Sequence, residues 1–151
     1  MQTKPSGEIA SVRSEIALLV AAILLAGCSG RQSVLSERFD VCMHPHRNVQ
    51  LQEMRMGLDF DVGSIEVDQA VIGVYVGWHP NASHRAMRKA LDATSGFRLL
   101  SRERSDGVDK ILVGNNRGDP RGPIFVMFEA QSLEGVDGAL LSNDFLSDCR
   151  K

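Results

Sequence analysis

The segment 70–79, AVIGVYVGWH, constrains the fold more than any other stretch of this chain. Ile72, Val74, Val76 and Trp78 alternate with Val71, Gly73, Tyr75 and Gly77, and neither set carries a charge. A period of two with both faces uncharged is the pattern of a strand with neighbours on both sides, in the middle of a sheet. Gly73 and Gly77 fall on the Val71/Tyr75 face and leave room there for a helix, or for another group, to approach closely.

Other segments add strands around this one. FDVCM (39–43) reads as a first strand, broken by HPHRN (44–48). In MRMGLDFDV (54–62), Met54, Met56, Leu58, Phe60 and Val62 alternate with Arg55, Gly57, Asp59 and Asp61, which predicts one half-buried strand with its acids in solvent. Gly63-Ser64 is a turn signal, with IEV (65–67) starting a return. Pro80-Asn81 ends the apolar strand, and Asn81 or Ser83 can cap a helix whose apolar stripe is Ala82, Ala86, Met87, Ala90 and Leu91, closed by Gly96. FRLLS (97–101), KILVGN (110–115) and GPIFVMFEA (122–130) read as strands, and LSNDFLSDCR (141–150) as a short terminal helix. The expectation is an α+β fold: a small mixed or antiparallel sheet, one main helix packed on one face, and a short C-terminal helix.

The N-terminal segment speaks to location. Ile16–Ala26 is an apolar run of eleven residues. A membrane-spanning helix needs about 20, whereas the hydrophobic region of a signal peptide has about 7–15. Leu25-Ala26-Gly27-Cys28 follows, and resembles the lipobox of bacterial lipoproteins. The resemblance covers only the beginning of the chain. It implies a signal peptide over 1–27, a lipidated Cys28 with a short tether to residue 38, and one globular domain over 39–151. It also implies a lipid bilayer as the first partner, through acylated Cys28. Ser29 after the cysteine points, by the sorting rule of enteric lipoproteins, to the periplasmic face of the outer membrane, with the inner membrane as the alternative.

Within that resemblance the remaining cysteines acquire a meaning. The periplasm is oxidising, so Cys42 and Cys149 are expected to pair. That bond would bring the last turn of the domain back to its start. Removing 27 of the 151 residues leaves 124, enough for one domain with its own core. The removed part carries two basic and two acidic residues, so the mature net charge stays at −2. Nothing in that balance recommends a nucleic-acid partner.

Candidate chemistry is sparse. His44 and His46 straddle Pro45 and would point the same way in an extended strand, and His79 is a conceivable third ligand of a metal site. Surface histidines beside prolines explain the same residues. No serine stands in a nucleophile-elbow setting. Asp59 and Asp61 have the spacing of any solvated strand face. No catalytic residue and no cofactor is expected. The loop 115–122, NNRGDPRG, is rich in turn formers, and Asn116, Arg117, Asp119 and Arg121 are read as a polar surface presented to a protein partner. Three functions compete: a non-enzymatic protein-binding or accessory component of the envelope, an immunity or inhibitor lipoprotein against a periplasmic toxin or lytic enzyme, and a metal-binding domain using His44, His46 and His79.

Intact-mass analysis of the protein from its native host is expected to return an acylated chain beginning at Cys28; an unmodified polypeptide still beginning at Met1 would remove the basis for the envelope assignment.

Overall fold

A computed structural model describes residues 32–44, 49–92, 96–142 and 144–149, all within the compact unit Arg31–Lys151. The signal-peptide and lipidation expectations, including Cys28, and the expected ligand His46 lie outside these residues.

The described chain is mostly strand. In order it forms β1 (Ser33–Ser36), β2 (Val41–Met43), β3 (Val49–Met56), β4 (Phe60–Val67), β5 (Ala70–Gly77), α1 (His84–Ala90), β6 (Arg98–Ser105), β7 (Val108–Asn115), β8 (Ile124–Ala130), α2 (Asp137–Leu140) and β9 (Leu146–Asp148). Six strands make one sheet in the order β3-β4-β5-β8-β7-β6, and three make a second in the order β1-β2-β9. Every pairing is antiparallel. This corrects the α+β expectation: the fold is a β-sandwich with two short helices, not a sheet under one main helix.

The inner face of the large sheet carries Ile65, Val67, Ile72, Val74, Val76, Ile111, Val113, Val126 and Phe128, all buried. The small sheet covers them with Leu35, Val41, Met43 and Leu146, helped by Phe39 and Phe145. On the outer face, α1 buries Ala86 and Ala90 against Leu100, Leu112, Phe125 and Met127 of β6, β7 and β8, with Tyr75 of β5 at the margin of the cluster. The helix begins where Ser83 accepts a hydrogen bond from the Ala86 N–H, one of the two caps expected. It approaches the sheet at Gly114, whose absent Cβ would lie 3.1 Å from Ala90, and not at Gly73 or Gly77. Those two positions are filled by the Glu129 side chain and by Tyr75 with Phe60.

Three further expectations change. First, the alternation over 54–62 spans two strands. Register pairs Met54 with Gly63 and Met56 with Asp61, but Val62 with Tyr75 and Phe60 with Gly77. Residues directly opposite share a face, so the methionines and the Phe60/Val62 pair point to opposite sides. Asp61, expected in solvent, is 3% exposed and accepts a 2.5 Å hydrogen bond from Ser36, which ties the two sheets together. Second, Gly63 is mid-strand. It faces a bulge between Leu51 and Met54, and a Cβ there would sit 1.9 Å from the Glu53 carbonyl oxygen. The turn falls instead at Asp68-Gln69, both at positive φ (49° and 73°). Third, the C-terminal helix is absent. Its residues form β9, which pairs with β2, while the helix that does form, α2, lies earlier. Strand β1 lies within the stretch read as tether.

The Cys42–Cys149 disulfide is present, with Cα atoms 4.9 Å apart and a sequence separation of 107. In the chain-entropy view a loop of that length stabilises by about 4–5 kcal/mol. The double variant Cys42→Ser/Cys149→Ser is therefore expected to lose about 4 kcal/mol in urea unfolding. A loss below about 1 kcal/mol would mean that the β2–β9 ladder and the core beneath it hold the chain ends without help.

Candidate protein-binding surface

Helix α1 covers half of the outer face of the large sheet. The other half, over β3, β4 and β5, has no layer above it among the described residues. Phe60 and Val62 of β4 and Val71 of β5 are exposed there, Val71 by 59%. Tyr75, opposite Val62, is half-buried between this patch and the cluster under α1, its ring stacked on Phe60 at 5.9 Å. Burial raises the Tyr75 pKa, and its hydroxyl accepts a hydrogen bond of 3.0 Å from the His79 N–H. Ser64, Gln52 and Glu66 run beside this patch as a hydrogen-bonded polar row, Ser64 to Gln52 and Gln52 to Glu66, each 3.1 Å.

The β3–β4 turn adds a second exposed apolar group at the end of the sheet, with Met56 on the side opposite Phe60 and Val62. Met56 is 81% exposed and Leu58 92%. These are large apolar side chains held out by a backbone that is tied down. The Arg38 guanidinium donates to the carbonyls of Gly57 and Leu58, and the Gly57 N–H donates to the Phe60 carbonyl at 2.6 Å. Gly57 lies under the Phe60 ring, where a Cβ would come within 2.7 Å of it, so only glycine lets the turn close this tightly. The result is a rigid apolar finger at one end of an open apolar sheet face. Exposed apolar side chains held by a fixed backbone and interleaved with polar ones are characteristic of interaction sites.

The loop 115–122 is built differently from its sequence reading. Arg117 is turned inward. It donates to the carbonyls of Phe39 and Asp40 at 2.6 and 3.0 Å, pairs with Asp148, and stacks on Phe97 at 5.6 Å. Asn116 donates to the Leu91 carbonyl after α1, and Asn115 to Asp148. Arg121 lies over the Trp78 ring at 4.1 Å and pairs with Asp119, whose pKa is lowered to about 2 by the side-chain and backbone hydrogen bonds from Arg121. Of the four residues expected to form a presented surface, Arg117 acts as a brace between β7, β9 and the turn before β2. Arg121 and Asp119 stay near the surface, engaged with each other.

The histidines are dispersed in role. The His44 ring shares a 2.9 Å hydrogen bond with the Ser147 hydroxyl of β9, and His79 uses its backbone on Tyr75. Among the described residues no group of three or more His, Cys, Asp or Glu comes together. Asp61 is enclosed with its Ser36 partner and so does not share the solvated strand face read for Asp59 and Asp61.

The open face escaped the sequence reading, although its signal was present. A strand uncharged on both faces needs a layer on each. A chain with two short helices besides its strands has only enough to cover part of the second. No protein family, curated protein or solved structure matches this chain.

Replacing Arg117 by Met keeps the length of the side chain but removes its ion pair with Asp148 and its donors to the carbonyls of Phe39 and Asp40, of which the Asp40 carbonyl keeps the Cys149 N–H. Breaking a largely buried pair of this kind is expected to cost about 3 kcal/mol, measured by urea unfolding; a change under about 0.5 kcal/mol, the ordinary surface value, would mean that the brace is dispensable.

Proposed function

We propose that this protein is a lipid-anchored, periplasm-facing envelope component of the outer membrane that binds another protein and catalyses nothing. The observation that carries the reading is the open apolar face of β3–β5 with its braced Met56–Leu58 finger.

The interleaving of polar groups supports a protein on that surface rather than a bilayer: the hydrogen-bonded Ser64–Gln52–Glu66 row runs among Phe60, Val62 and Val71. The fitting partner presents an apolar ridge for the sheet face and a pocket for Leu58, rimmed by polar groups that match the Ser64–Gln52–Glu66 row. The chemistry of the described residues also favours binding, since no nucleophile, base and acid are assembled.

One feature favours the immunity or inhibitor reading as the second choice. A rigid two-residue apolar tip is suited to filling a cleft, and pre-organisation lowers the entropy cost of doing so. Partner activity separates the two: an accessory component leaves it intact, an inhibitor abolishes it.

The full lipidated protein, solubilised in detergent with its envelope, is expected to retain one stoichiometric partner, identified by mass spectrometry and then rebound as a purified protein. Leu58→Asp combined with Val71→Lys should weaken the purified complex at least about tenfold, about 1.4 kcal/mol. If the complex tolerates those changes and Arg121→Ala breaks it, the 115–122 loop is the site; if no partner is retained, protein binding is the wrong function.

A further inference from the structure

The large sheet has a second unsatisfied feature, remote in the strand order from the open face. β6 is its last strand, paired to β7 on one side only. The β6–β7 turn is Asp106-Gly107, both at positive φ (52° and 78°), a two-residue turn of the hairpin type. Such a turn makes Ser105 and Val108 the hydrogen-bonded pair next to it. Alternation along the ladder then turns the N–H and C=O groups of Arg102 and Arg104 away from β7. Beside this edge stands α1, and between them runs a groove of about 440 Å³.

The walls of the groove have a chemical bias. The helix contributes Arg85 and Lys89, one turn apart and so on one side of α1, with Ala86 between them on the buried stripe. The strand contributes Leu99, Ser101 and Glu103. Among the described residues Arg85 has no hydrogen-bond or ionic partner. Lys89 reaches across to the Leu100 carbonyl with a bond of 3.4 Å, long enough to be exchanged readily for a better acceptor. Arg102 does not add its charge to the groove, because its guanidinium is engaged by Asp137 at 2.7 Å. Two cations therefore face one carboxylate, Glu103. Leu99, 51% exposed, offers an apolar contact at the Lys89 end.

We infer that the cleft between α1 and β6 takes an extended acidic segment of a partner protein by strand addition, its backbone pairing with the outward groups of Arg102 and Arg104 and its carboxylates meeting Arg85 and Lys89. An edge strand flanked by a helix is the arrangement in which peptide-binding domains accept a guest strand: backbone pairing supplies affinity and the helix wall reads alternate side chains. The net positive charge selects an acidic guest. The carbonyl of Leu100, already capped by Lys89, marks where pairing ends, since the bulge between Leu99 and Ser101 breaks the ladder there. This site is independent of the open β3–β5 face and uses none of its residues.

The test uses the full lipidated chain in detergent and two blocked ten-residue peptides, one alternating glutamate with valine and one alternating lysine with valine. Fluorescence anisotropy at low salt should show the acidic peptide binding at least about tenfold more tightly than the basic one, with the advantage falling as salt screens the charges. Arg85→Glu/Lys89→Glu should reverse the preference. Hydrogen exchange should show slowed amides at Arg102 and Arg104 in the acidic complex. Leu58→Asp should leave peptide affinity unchanged, so failure here is separable from failure of the open-face reading. Equal affinity for both peptides overturns the inference, as does the absence of saturable binding up to about 1 mM. Acidic-peptide binding without slowed exchange in β6 also overturns it, because that result is ionic adsorption and not strand addition.

Discussion

The bond between Cys42 and Cys149 joins the two segments on which the whole core depends. One face of the six-stranded sheet is a continuous apolar surface, and in water it has to be covered. The chain covers it with three short strands, β1, β2 and β9, of four, three and three residues. A sheet of that size is too small to persist alone. It exists because both ends of the domain are brought to one place: β9 pairs beside β2, and the disulfide closes the register. Without that closure, Leu35, Val41, Met43, Phe39, Phe145 and Leu146 would have no fixed partner across the core.

Polar contacts then lock the small sheet in position. Ser36 reaches the buried Asp61 of the large sheet, and Arg117 reaches the opposite end, holding the turn before β2 and the β9 side chain Asp148. Trp78 sits between Phe39 and Arg121, edge-on to the first at 4.8 Å and under the second. These contacts explain why a loop rich in turn formers does not behave as an ornament. A loop arginine that satisfies two carbonyls and a carboxylate is part of the sandwich. The stiffness that results extends to the β3–β4 turn, where Arg38, next to Phe39, holds the exposed finger.

Much of the strand content was legible because alternation is a local property. The central place of 70–77 followed from the uncharged faces, and it is flanked by β4 and β8 as such a strand must be. What alternation does not reveal is which face is buried once a turn or bulge shifts the phase. Met54 to Val62 is the clear case: five apolar residues in step are divided between two faces by a glycine turn, and the two most exposed large apolar residues of the described chain are among them. The terminal helix failed for a different reason. A ten-residue segment has little helical stability of its own, and an adjacent β2 edge offers backbone hydrogen bonds that a lone helix does not. The candidate surface was illegible because it consists of what no other element covers, and cover is decided by the rest of the molecule.

The residue pattern by itself determined the central strand, the apolar strands beside it and the presence of a helix after Pro80, while the Cys42–Cys149 pairing followed only once Cys28 was set apart. Those depend on neighbours in sequence or on a choice with one solution. Tertiary structure alone decided that the fold is a sandwich, that Arg117 points inward, and that Phe60, Val62 and Val71 stay open to solvent while Asp61 is enclosed. Burial is a relation between distant segments, set by how many elements exist and how far each can reach, and a linear pattern records neither.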